Sequence, residues 1–531
     1  MGSVLELRVD ADVDDHASVI SGAGAFDKSG DGRLEFTNSQ TYTGGTTVSG
    51  GVLSSQNLPL DRALAISAGA TLEFDVPMGA MTPVSGAITG AGRIDKSGSG
   101  VLVFSGSNGF TGNTTLSSGE IQGPGTSIPG NVQMSGGTKI EFTDTGTSTY
   151  SGVLTSNATA LLRMTGSGML SLTGDNSGFV GTLDIQSGTV SGNVASLPDR
   201  ITNAAALIFN QVSNASYAGV ISGEGGVTKS GSGTLTITDD QSYTGVTTIS
   251  AGRLNTNATL AGAVNVASGA TLGGTGVVAG PITVSGTIAP GVEDSPEPTL
   301  DTILTAQASV SFEANSTFRP ILFENGVANQ LRALGEVTID SSATLDPSFA
   351  NITAGREFTV LRASAFTTLD PDEPFQVPEF AFVSITQMIE DVGGESMLNL
   401  IIESGGSALP LADTANQFQV ARALDTTDAN STLADAISSL KGSSLTPDQA
   451  RAVFDEISPE VVGGFASTRL SVARRVNDQV QARIRDMWWQ AAAPYWDSGE
   501  SSASSARGPA AVQAEGVSGF GSWLDGYGVW G

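Results

Sequence analysis

One phrase recurs along the first half of this chain and limits what the chain can build. It reads Ile221-Ser-Gly-Glu-Gly-Gly-Val-Thr-Lys229-Ser-Gly-Ser-Gly-Thr-Leu235-Thr-Ile237, then Tyr243-Thr-Gly-Val-Thr-Thr-Ile249 through Leu254. Ungapped copies run from Ile20 to Leu53 and from Ile88 to Ile121, anchored on Lys28-Ser-Gly-Asp-Gly and Lys96-Ser-Gly-Ser-Gly. A fourth, worn copy has Met164-Thr-Gly-Ser-Gly in place of the lysine core and Phe179-Val-Gly in place of Tyr-Thr-Gly. The anchoring leucines Leu34, Leu102, Leu170 and Leu235 are 68, 68 and 65 residues apart. A fixed period of this kind signals a stacked-repeat architecture.

Within a copy the apolar residues alternate, as in Leu34 and Phe36, Leu102 and Phe104, Leu235 and Ile237. That is the pattern of a half-buried strand. A second strand is expected over Tyr42-Thr-Gly-Gly-Thr-Thr-Val48, after a polar turn at Asn38-Ser-Gln. No stretch here has a helical period long enough for a crossover helix. Short strands with Gly turns leave a β-solenoid or a string of β-sandwiches. The solenoid is favoured, because a sandwich takes roughly 100 residues per unit. A 68-residue period then divides into about three turns of roughly 23 residues, within the range for repeat units.

The repeat resembles the passenger-associated transport repeat of bacterial autotransporters, on Gly-x-Gly-x-x-x-Lys-Ser-Gly-x-Gly-x-Leu and a second element, Tyr/Phe-Thr-Gly-x-Thr-Thr. The resemblance implies an all-β fold, a right-handed parallel β-helix with a C-terminal α-helical linker. It also implies a passenger exported by type V secretion to a Gram-negative surface through its own C-terminal translocator barrel, with the outer-membrane assembly machinery as a further partner.

Four segments are expected. Residues 1–262 hold the repeats. Residues 263–405 read as the solenoid's cap, with the turn Gly286-Thr-Ile-Ala-Pro-Gly291, an acidic loop from Val292 to Pro298, and longer apolar strands. A solenoid needs such an end, since its last coil otherwise exposes core and strand edge. The stretch resembles the autochaperone-like C-terminal passenger segment of autotransporters. Residues 406–500 read as helical, with a capping box at Thr446-Pro-Asp-Gln449 and a second start at Ser458-Pro-Glu460. Residues 501–531 read as a flexible linker ending in Gly519-Phe-Gly-Ser-Trp-Leu-Asp-Gly-Tyr-Gly-Val-Trp-Gly531, which resembles the first strand of a translocator barrel. Met1-Gly-Ser leads straight into a strand, so the N-terminus is expected to be cut from a longer chain.

Composition narrows the function. The chain holds 24 Lys and Arg against 53 Asp and Glu, a net charge of −29. Such acidity argues against nucleic acid as a partner, because phosphate binding needs Lys and Arg. There is no cysteine, and redox compartment cannot be read from it.

The chemistry-bearing residues are sparse. The one histidine, His16, is expected in a solvated loop or strand rather than in a triad. Asp10-Ala-Asp-Val-Asp14 imitates the start of a calcium loop, but Asp15 stands where Gly is needed and Ser21 where the closing Glu is needed. Gly274-Thr-Gly-Val-Val-Ala279 matches a dinucleotide fingerprint by letter without the helix that should come after it, so it reads as coil turns. Asp239-Asp240 and Asp144 are the carboxylates available to a polysaccharide-cleaving enzyme; the matching positions in other copies are Asn38, Gly106 and Gly174-Asp175, as in tolerant turns. Asn477-Asp478 reads as an exposed helical pair. No catalytic, cofactor or metal residue is assigned, and no cofactor is expected. The leading expectation is a structural or adhesive surface passenger, contacting host surfaces or another copy of itself along its lateral face. The alternatives are a β-helix polysaccharide hydrolase or lyase, and an inert stalk for an upstream head.

Overall fold

A computed structural model describes residues 3–404, except 12, 129, 158, 292–301, 324, 350–354, 369, 371, 379 and 381–382, together with residues 446–456. The strands are short, mostly two to five residues, and those up to residue 349 stack in parallel register. Each turn of the chain visits three sheets in succession, as in Arg93–Ser97, Val101–Phe104 and Gly109–Phe110. The chain is therefore a three-faced parallel β-solenoid.

The alternation read from the sequence is the reason. In Arg33–Phe36, Val101–Phe104 and Thr234–Ile237 every second residue is buried. Inward residues stack on their like: Leu34 on Leu53, Leu53 on Leu72, Leu72 on Ile94. Each fully buried aliphatic side chain contributes roughly 1.5–3 kcal/mol, and the ladders merge into one continuous core.

Those same partners correct the expected geometry. They are 19, 19 and 22 residues apart, so a turn takes about 20 residues rather than 23, and the 68-residue period spans about three and a third turns. Successive copies of the phrase therefore fall on successive faces. Leu34 and Leu102 belong to two different eight-stranded sheets, Leu170 to the 11-stranded sheet and Leu235 to a seven-stranded one. The expected strand from Tyr42 to Val48 is likewise two, Thr41–Tyr42 and Thr46–Val48, in different sheets. Gly44 turns the corner between them, where an added Cβ would lie 2.3 Å from the Gly24 carbonyl oxygen.

Beyond Ile282 the turns lengthen: Ile282 pairs with Val310, and Val310 with Val337. The stack then changes sense. Arg356–Ala363 is antiparallel to Glu395–Ser404, which forms a long hairpin with Val383–Val392. Phe375 is buried at this end, its ring 5.1 Å from Phe312 and 5.9 Å from Phe318. Gln387 holds it there, accepting from the Phe375 N–H at 3.2 Å and donating to its carbonyl at 2.7 Å. Phe375→Ala should cost about 3–5 kcal/mol. In a solenoid the loss stays local. Amide exchange should therefore accelerate in the Val383–Ser404 hairpin and stay unchanged around Phe104.

Of the expected helical segment, the described part is the helix Pro447–Glu456. Its capping box is formed as expected: Gln449 N–H donates to Thr446 Oγ1 at 3.3 Å, and Thr446 N–H to Gln449 Oε1 at 2.9 Å. The other expected features from residue 406 onward, including the Ser458 start, Asn477-Asp478 and the strand at 519–531, lie outside the described residues, as does the acidic loop from Val292 to Pro298.

Candidate functional site

The lysines of the repeated phrase point inward. Lys28, Lys96 and Lys229 are almost completely buried. Each ammonium donates to three backbone carbonyls, two in its own turn and one in the next. For Lys28 these are Ser29, Gly30 and Gly50 at 3.1, 2.7 and 3.0 Å. Lys96 reaches Ser97, Gly98 and Ser118 at 2.6, 2.7 and 3.2 Å. Lys229 reaches Ser230, Gly231 and Ala251 at 3.0, 2.8 and 3.0 Å. Three donors meet three acceptors, so the side chain locks a corner where strand hydrogen bonds run out. The worn copy solves the problem otherwise. Met164 is buried in the lysine's place, and Ser187 Oγ donates to the Thr165 and Gly166 carbonyls, the latter at 3.1 Å.

A second clamp was not read from the sequence. Gln40, Asn108, Asn176 and Gln241 recur at the same 68-, 68- and 65-residue spacing as the leucines, which was the available signal. Their amide oxygens accept from the N–H groups of Ile20, Ile88, Leu154 and Ile221 one turn earlier, at 2.6 to 2.8 Å. Their amide nitrogens donate to carbonyls such as Ser196 O at 2.8 Å and Gly219 O at 2.9 Å. Buried Arg253 also went unread. It ties the repeats to the Pro-Gly turn by donating to the Ala289 and Gly291 carbonyls at 3.0 and 2.9 Å.

These buried groups set an alkaline stability profile. Burial lowers the ammonium pKa of Lys96 and Lys229 to about 8, and that of Lys28 in the same direction. A folded pKa below the unfolded value means that folding disfavours the bound proton, so stability from these lysines rises as pH climbs from about 8 to about 10.5. Burial raises the phenols of Tyr42 and Tyr243 to about 12. Their contribution is complete below about 10 and is lost as pH rises from about 10 to about 12. Thermal midpoints should thus climb, then fall steeply above about pH 10. In Lys96→Met the climb should be smaller and the fall unchanged.

The sequence-marked residues do not converge. His16 lies in Val13–His16, its ring edge-on to Phe36 at 5.7 Å. Asp10 pairs with Arg8, while Asp14 and Asp15 sit in register with Leu34 and Glu35. Gly274 ends the strand Thr271–Gly274, and the next element is another strand, Val277–Val278, not a helix. Asp240 accepts from the Thr259 N–H at 2.7 Å. Asp144 is buried a repeat away, on another turn. No cluster of three or more His, Cys, Asp or Glu able to hold a metal occurs among the described residues.

The lateral faces differ in charge. In one register row, Gln122, Glu141, Arg163 and Asp184 succeed one another, with ion pairs from Lys139 to Glu141 and Glu120 at 2.8 and 2.9 Å and from Arg163 to Asp184 at 3.0 Å. Across the 11-stranded sheet, the row Thr149, Ser171, Ser191, Ile208, Thr228, Thr248, Asn265, Thr283, Ser311, Thr338, Thr367 carries no charge. At about 4.8 Å per strand it extends for about 50 Å.

A three-faced solenoid whose corners, rather than any pocket, hold the recurring residues belongs to the repeat-built rod class of proteins. Four stretches, residues 26–54, 94–122, 162–191 and 227–256, match the passenger-associated-transport-repeat family model. The chain therefore carries that repeat four times. Among solved structures, the Hap adhesin of Haemophilus influenzae is similar at 11% identity with a TM-score of 0.26; the match covers 75% of this chain and 57% of that one, little more than half its length. No curated protein matches the chain.

Proposed function

We propose that this region is an adhesive or structural rod displayed at a Gram-negative surface, brought there through a translocator barrel that comes after it in the complete protein. The single observation that carries the reading is the match of four stretches to the passenger repeat, with inward residues that stack in parallel register. Winding is right-handed in this reading, in keeping with the hand of parallel crossovers. Residues 263–405 act as an autochaperone-like cap, a role supported by the antiparallel hairpin that seals the last turn. Residues 406–500 form the helical linker towards the barrel, and residues 501–531 a linker and its first strand. Contact resides in the uncharged row on the 11-stranded sheet, where many weak hydrogen bonds add along the rod. The side chains in that row are neutral, which suits a chain whose net charge of −29 repels most surfaces elsewhere.

The test is display of the region on bacteria, fused to an autotransporter barrel, with surface antibody labelling and cell binding as readouts. Labelling should be positive. Binding should fall in steps as turns are deleted, and should survive Asp239→Asn and Asp240→Asn. Loss of a polysaccharide-cleaving activity on either single change would favour the hydrolase reading instead.

A further inference from the structure

We propose that Asp144 and Ser148 form a buried site for one small monovalent cation of sodium size, between successive turns of the solenoid. Asp144 is 1% exposed and Ser148 8%. Asp144 Oδ1 accepts from the Gly125 N–H at 2.9 Å. Its Oδ2 is buried with no partner, and so is Ser148 Oγ. Both residues approach Gly125: its N–H is held by Asp144, and a Cβ added to it would lie 3.0 Å from Ser148 Oγ. A buried carboxylate needs compensation for its charge, and among the described residues no lysine or arginine pairs with Asp144.

The protein carries its own controls. One copy earlier, the matching residues are Val76 and Thr82; one copy later, they are Gln211 and Ala215. Gln211 fills the position as a neutral group. Its Oε1 accepts from the Val194 N–H at 3.1 Å, as Asp144 Oδ1 does from Gly125, and its Nε2 donates to the Ser213 carbonyl at 2.8 Å. Asp144 is one methylene shorter and lacks that donor. A carboxylate and a hydroxyl appear together only in this copy. One carboxylate suits a single positive charge, whereas calcium sites gather six to eight oxygens with several carboxylates.

The experiment compares thermal unfolding of the whole chain in sodium chloride and in choline chloride at equal ionic strength. The wild type should melt about 2 °C higher in sodium, as expected for a ligand bound only by the folded state. Asp144→Gln, which copies Gln211, should melt at one temperature in both salts, and Ser148→Ala should respond less than the wild type. Broadening of the sodium NMR signal by the wild type but not by Asp144→Gln is the second readout. Equal wild-type midpoints in the two salts, with no broadening, would overturn the proposal and leave a water molecule in the site.

Discussion

Lys229→Met is expected to loosen its corner by about 2–4 kcal/mol, because buried carbonyls lose their donor and each costs about 1–3 kcal/mol unsatisfied. The Ser230 carbonyl keeps the Gln211 N–H at 2.9 Å, so the loss falls on Gly231 and Ala251. Methionine itself fits: Met164 is fully buried at the equivalent position. The worn copy also supplies the repair. Ser187 there stands where Ala251 stands here, and its hydroxyl serves the Thr165 and Gly166 carbonyls. Adding Ala251→Ser to Lys229→Met should therefore recover about half of the loss, since of the two orphaned carbonyls the hydroxyl serves Gly231 and not that of residue 251 itself. The readout is amide exchange in Thr234–Ile237, because unfolding of a repeat array is not reliably two-state. If Lys229→Met exchanges like the wild type, the lysine only fills space. If Ala251→Ser restores nothing, the Met164 and Ser187 pairing is coincidental.

Gly252→Ala is expected to be at least as damaging. Gly252 has φ +65°, and an added Cβ would meet the Gly231 and Gly233 carbonyl oxygens at 2.5 and 2.6 Å. Both atoms are backbone, so neither can swing away. Strain at positive φ costs about 1–3 kcal/mol, and the clash adds to it. A loss of about 3–5 kcal/mol at this turn should appear as faster exchange in Arg253–Thr256 and a lower melting midpoint. The counterparts Gly51, Gly119 and Gly188 have φ of +62°, +74° and +68°. Glycine thus persists even in the copy that has lost its lysine. The reason is physical: a hydroxyl can replace an ammonium as donor, but no side chain fits where two carbonyls converge. A Gly252→Ala chain that melts like the wild type would show that the corner opens at little cost.

Much of the fold was legible because alternation and spacing are local properties of the chain. Leu34, Phe36, Leu102 and Phe104 declare their inward face by period two. The Lys-Ser-Gly spacing declares a repeat. The capping box at Thr446 needs four residues alone. The length of a turn was not legible in the same way. It depends on where corners fall, and Thr-Gly-Gly at 43–45 turns a corner that its Thr- and Val-rich flanks conceal. The lysine's role was equally hidden. A lysine in a polar phrase reads as solvated, and only stacking of the next turn over it supplies Gly50, Ser118 or Ala251 as third acceptor.

The candidate site divides along the same line. The sequence by itself determined that this chain is acidic, free of cysteine and built from a repeated strand-forming phrase, because composition and period need no partner residue to be read. Only the tertiary structure decided which register row is uncharged, that the Asp144 carboxylate is buried, and that four amides clamp successive turns. A turn of about 20 residues does not divide the 68-residue period, so equivalent residues rotate from face to face. What lies beside what is therefore set by the stacking, and not by the repeat.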